Sequence, residues 1–126
     1  MSTASSKGVW IGRVLSILGS IPFLTSAALK LKGGAEVTEG MAHLGLPETL
    51  VRPLAIVELA CVVIYLIPKT AVLGAILLTG YLGGAILAHL RVGDPFLVQV
   101  GIGVLLWLGL YLRDPRLKAI VPLMTP

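Results

Sequence analysis

The sequence predicts an all-α, polytopic membrane protein: a bundle of four transmembrane helices with a short interfacial helix between the first and second crossings. Three observations predict it. The 126 residues are 56% hydrophobic and only 13% charged, against roughly 25% charged in an ordinary soluble domain. Mean hydropathy is +0.98. Four apolar runs stand between charges, prolines and glycines, each near the length of about 20 residues that a hydrocarbon core requires. Apolar side chains therefore outnumber those that one small core could bury, and lipid must cover the rest. Residues 1–126 make a single domain, with no room for a separate soluble catalytic unit.

The first crossing covers residues 10–29, between Lys7 and the Lys30, Lys32 and Gly33-Gly34 cluster, with Arg13 as its one interior charge. Its Thr25-Ser26-Ala27-Ala28 stretch is of a kind that signal peptidase accepts, yet the segment is expected to stay as a helix. Pro22 should kink it. In residues 35–44, Val37, Met41 and Leu44 share one helical face while Glu36, Glu39 and His43 lie elsewhere. This spacing predicts an amphipathic helix at the interface, ended by Gly45. The second crossing, residues 51–67, ends at Pro68-Lys69. It spans about 26 Å, and Arg52 and Lys69 can snorkel to cover the shortfall.

The third crossing runs over residues 70–90 to Arg91, and the fourth over residues 95–112 to Arg113-Asp114-Pro115. Asp94 before Pro95 reads most simply as the cap of the fourth helix, and Asp114 with Pro115 as the start of a second short interfacial helix. Gly12, Ser16 and Ser20 recur every fourth residue, as do Gly80 and Gly84. Such stripes let backbones approach closely, within the bundle or between copies in a homo-oligomer.

An even number of crossings puts both termini on one face with Lys69. That face holds six basic residues, Lys7, Arg13, Lys69, Arg113, Arg116 and Lys118, against four on the other, Lys30, Lys32, Arg52 and Arg91. Positive-inside counting then gives cytoplasmic termini in a bacterial inner membrane. The net charge of +4 sets orientation and implies no nucleic-acid partner. Cys61 is the one cysteine, so neither an intramolecular disulfide nor a thiol metal cluster can form. No metal-ligand spacing, phosphate loop, nucleophile elbow or dinucleotide fingerprint occurs, and no cofactor site is encoded.

Chemistry must then reside in the few ionisable residues inside the crossings, which are costly there and normally partnered. Glu58 lies about 10 Å into the second crossing, with Cys61, Val62 and Tyr65 on or near its face. It is either protonated or met by a cation from another helix. Topology brings Lys30, Lys32, His89, Arg91, Asp94 and Gln99 to the same end of the bundle. Arg91 reads as an interfacial anchor or as a clamp on Glu58 or Asp94. His89 reads as a satisfied bundle histidine, a ligand or a proton carrier.

Several stretches carry a resemblance. They are Ser26-Ala27-Ala28-Leu29-Lys30-Leu31, Glu58-Leu59, Tyr65-Leu66-Ile67-Pro68, Thr79-Gly80-Tyr81-Leu82-Gly83-Gly84-Ala85 and His89-Leu90-Arg91-Val92-Gly93-Asp94. Together they resemble the DoxX-like family over nearly the whole chain. That resemblance implies a four-helix membrane protein with a loose redox association, since the family is named for a subunit of a quinone-linked oxidase and its relatives are linked to quinone reduction, membrane oxidoreductase complexes and assembly roles. Lys30, Glu58, His89, Arg91 and Asp94 match the family's recurrent polar positions.

Three functions fit. The first is a small component of a membrane redox system that binds a lipophilic, quinone-like molecule near the outer leaflet, with a redox partner in the bilayer. Glu58 and His89 would then act on protons, while Lys30, Arg91, Asp94, Gln99 and Tyr65 bind the ligand. The second is a non-catalytic scaffold or assembly factor locked by Glu58 and Arg91. The third is a cofactor-free acid–base enzyme, isomerase-like, on a hydrophobic substrate.

Overall fold

The computed structural model describes residues 6–124, and every regular element among them is helical. The α-helices are α1 (Ser6–Lys32), α2 (Ala35–His43), α3 (Val51–Leu66), α4 (Ala71–Arg91) and α5 (Leu97–Arg113), with 3-10 turns at Glu48–Leu50, Pro68–Thr70 and Pro115–Ala119. The four longer helices close a ring in which α1 and α4 each pack on both α3 and α5. Gly12 of α1 adjoins Leu112 and Arg113 of α5, so the first and last helices meet at one end. The amphipathic α2 covers the other.

With their leading turns counted, α1, α3 and α4 give apolar helical stretches of 27, 19 and 24 residues, each long enough to cross a membrane. The apolar α5 is shorter, with 17 residues, about 26 Å. Large aliphatic side chains point outward all round, including Ile17, Ile56, Ile76 and Val104, each more than half exposed. The buried face of α1 instead takes small and polar groups such as Gly12, Ser16, Gly19 and Ser20, packed on a core that includes Leu78, Leu106 and Leu110. An all-α membrane bundle results, with its widest apolar surface turned to lipid.

The α1–α5 seam is close-packed at its glycines. A Cβ on Gly12 would stand 2.7 Å from Gly109 O, and one on Gly109 would stand 2.8 Å from Ser16 N. Ser16 and Ser20 return their hydroxyl protons to Gly12 O and Ser16 O at 2.8 and 2.7 Å, so neither hydroxyl is an orphan donor. The second small-residue stripe behaves otherwise. Nothing approaches Cβ positions on Gly80 or Gly84 within 4 Å, so these glycines pack no helix and border open space.

One helix start departs from the sequence reading, for a local reason. Gly93 has φ 76, Gly93 N–H donates to Leu90 O at 3.1 Å and Asp94 N–H to His89 O at 2.9 Å, a Schellman closure of α4 that needs a left-handed residue. Asp94 is therefore spent on the end of α4. It does not cap the next helix: α5 starts at Leu97 behind Phe96, with no side-chain cap. The same closure ends α2, where Gly45 has φ 74 and donates to Ala42 O at 3.0 Å, while Leu46 N–H donates to Met41 O at 2.9 Å. The expected start at Asp114-Pro115 does hold, with Asp114 accepting from Arg116 N–H at 3.1 Å, though the element is a five-residue 3-10 helix.

Candidate functional site

Ser26 and Lys30 stand four residues apart on α1 and so share a face, which α1 turns toward Glu58 on α3. Lys30 Nζ lies 2.5 Å from Glu58 Oε1 and 2.5 Å from Ser26 Oγ, and Ser26 Oγ donates to the same Oε1 at 3.1 Å. The Glu58 side chain is 1% exposed and that of Lys30 17%. Tyr81 of α4 interacts with the same carboxylate. A buried ion pair survives desolvation only with such geometry and further hydrogen bonds.

Beside this trio lies a cavity of about 510 Å³, lined by Lys30, Glu58, Tyr81, His89 and Gln99 among apolar groups such as Phe23 and Ile102. Met41, Leu44 and Leu46 roof it from α2 and the turn that follows. A second opening of about 660 Å³ shares Ser26, Lys30, Met41 and His89 with it, and passes under α2 to Glu36 and Asp94. Together they give a route from the cavity to the rim of the bundle.

Two polar groups on the wall keep unused capacity. His89 Nδ1 lies 2.7 Å from Ala85 O; a carbonyl only accepts, so Nδ1 carries the proton and Nε2 of the neutral ring is left as an acceptor. Gln99 Oε1 is buried without a hydrogen-bond partner among the described residues. Such an orphan is uncommon in a folded protein.

The structure brings Lys30, Glu58, His89 and Gln99 to one cavity and puts three other candidates elsewhere. Arg91 reaches neither Glu58 nor Asp94: its Nη2 donates to Leu44 O at 2.6 Å, tying the end of α2 to α4. Asp94 receives His43 Nε2 at 2.8 Å and so makes a second tie on α2. Tyr65 is fully buried and its hydroxyl is 2.6 Å from Leu106 O and 3.1 Å from Ser16 Oγ, which locks α3 to α5 and α1 away from the cavity. Its place on the Glu58 face of α3 is real, but seven residues carry it about 10 Å toward the other end. Sequence reasoning passed over Ser26 and Tyr81 as site residues. The four-residue spacing of Ser26 from Lys30 was the available signal for the first.

The DoxX-like family model matches residues 14–111. The chain belongs to the DoxX-like family. No curated protein and no solved structure matches it. The matched stretch of this DoxX-like chain includes every polar group of the cavity from Ser26 to Gln99, together with Arg91 and Asp94, and stops before Asp114 and Arg116.

Proposed function

We propose that this DoxX-like protein binds a lipophilic molecule with oxygens on a flat head, of the quinone class, in the cavity under α2, as a small component of a membrane redox system. The observation that carries the reading is the orphan Gln99 acceptor on the wall of a cavity that also holds the Lys30–Glu58 pair. Its volume of about 510 Å³ lies in the range of small-molecule sites. Lys30 and Tyr81 can donate to a quinone carbonyl. Gln99 Oε1 and His89 Nε2 can accept from the hydroxyls of the reduced form. Reduction adds two electrons and two protons; Glu58 and His89 exchange the protons, and a partner in the bilayer supplies or removes the electrons. The reading includes four crossings of a bacterial inner membrane with both termini cytoplasmic, supported by the six-to-four division of basic residues.

Titration of the purified protein with the reduced, quinol form of a short-chain ubiquinone, followed by tryptophan fluorescence or calorimetry, tests it. Saturable binding that weakens about tenfold in Gln99→Leu and in Glu58→Gln is expected, the loss of one hydrogen bond to a buried polar group. Absence of binding by the unaltered protein would sink the proposal and leave the scaffold reading, in which the Lys30–Glu58 pair serves only to hold α1 to α3.

A further inference from the structure

At the end of the bundle opposite α2, a second cavity of about 540 Å³ is lined by Arg13, Arg113, Arg116 and Asp114 over an apolar wall that includes Ile17 and Leu66. Three guanidinium groups and one carboxylate leave it with an excess of two positive charges. Among the described residues the Asp114 carboxylate is hydrogen-bonded by Arg116 alone, through its backbone N–H at 3.1 Å, Nε at 3.0 Å and Nη2 at 2.8 Å. Arg113 is held rigidly: Nη2 donates to Tyr65 O at 2.6 Å and its Cζ stands 4.7 Å over the Tyr65 ring. Its Nε–H, however, is buried with no acceptor among the described residues. Arg13 makes no hydrogen bond or ion pair among the described residues, yet its charge acts on Arg113.

An orphaned donor on a fixed guanidinium, with a second, unpaired guanidinium lining the same cavity, is an unfavourable arrangement without an anion between them. We infer that this cavity binds the phosphate group of an anionic phospholipid, with Arg13 and the Nε–H of Arg113 on the phosphate oxygens and an acyl chain along Ile17 and Leu66. Guanidinium groups suit phosphate because planar, parallel N–H donors match its oxygens. A lipid rather than free phosphate follows from the wall: Ile17 is 54% exposed on a helix long enough to cross the bilayer, so an acyl chain can lie where water cannot. The site is independent of the cavity under α2 and of what binds there.

Native mass spectrometry of the full chain in detergent tests the inference, with dioleoyl phosphatidylglycerol and dioleoyl phosphatidylcholine as probes. The second lipid carries the same phosphate but adds a trimethylammonium that the arginines repel. Retention of one phosphatidylglycerol in preference to phosphatidylcholine is expected, about tenfold weaker in Arg13→Gln. Arg13 is exposed, so its replacement spares the fold, and Arg52→Gln at the opposite end should change nothing. Equal retention of both lipids would overturn the proposal. So would phosphatidylglycerol binding that Arg13→Gln leaves intact. Displacement of the lipid by millimolar inorganic phosphate would overturn the lipid as ligand and assign the cavity to free phosphate.

Discussion

Glu58 is the most expensive side chain to bury in this protein, and Lys30 and Ser26 are what make its burial tolerable. Removing one member of such a pair leaves an uncompensated charge and costs about 3–5 kcal/mol, whereas exchanging both for apolar groups of similar volume is near neutral. Glu58→Leu or Lys30→Met alone should therefore lower stability strongly, and the double variant should recover most of it, measured by thermal unfolding in detergent. If the cavity under α2 binds quinone, the recovered double variant still binds none; intact binding would remove the pair from the site. At the opposite end, the hydrogen bonds from Arg116 hold the Asp114 carboxyl below its ordinary range. A group whose folded value is depressed contributes stability above its unfolded value of about 3.9 and loses it as pH falls through the lower folded value. Protection of the Arg116 amide, which donates to Asp114, should thus be flat from neutral pH down to about pH 5 and fall below about pH 4, and Asp114→Asn should abolish that dependence. The need of Glu58 for a partner was legible from its position in an apolar run. Which cation answers it was not, because Lys30 and Arg91 sit at the same end, and the turn after α2 is what offers Arg91 the Leu44 carbonyl instead.

At the scale of helices, the two small-residue stripes are alike in sequence and opposite in role. Gly12 lies against the backbone of α5 and Gly109 against that of α1, each with room for a hydrogen alone. Gly80 and Gly84 border the cavity with open space where a Cβ would go. Gly12→Ala and Gly109→Ala should each cost about 1–3 kcal/mol by overpacking. Gly80→Ala and Gly84→Ala should stay within about 0.5 kcal/mol of the unaltered protein while narrowing the cavity, so that stability and ligand binding respond to different glycines. Equal losses of stability from both stripes would contradict this division. Periodicity reported the stripes but not their partners, since a small residue marks close approach by a helix and by a ligand equally well. The amphipathic α2 was legible for the opposite reason: Val37, Met41 and Leu44 mark its inner face from spacing alone, and Met41 is indeed buried. The start of α5 was misread by two residues because Asp94 has two competing employments, closing α4 with its backbone and receiving His43 with its carboxylate. Neither is visible before the turn is seen.

For the molecule as a whole, hydropathy and length fixed the class of fold, because a chain with so few charges has no other way to cover its apolar side chains. What they left open is how the helices of unequal length share one bilayer. The 27 residues of α1 reach about 40 Å, while the 17 of α5 reach about 26 Å. The pair is bound rigidly at Gly12 and Gly109, so α1 cannot tilt away to equalise them. If α5 crosses, the bilayer must thin around it, at fractions of a kcal/mol per Å of mismatch, because Arg113 is held on Tyr65 and cannot snorkel. The protein should accordingly be more stable in thin bilayers than in thick ones. Reconstitution into nanodiscs of dimyristoyl, dioleoyl and dieicosenoyl phosphatidylcholine, each followed by thermal unfolding, should give a midpoint that falls as chain length rises. Two leucines inserted after Leu105 should shift the optimum toward the thicker bilayer. A midpoint that rises with thickness in the unaltered protein would mean that α5 does not span the hydrocarbon core, and that three helices, not four, cross the membrane.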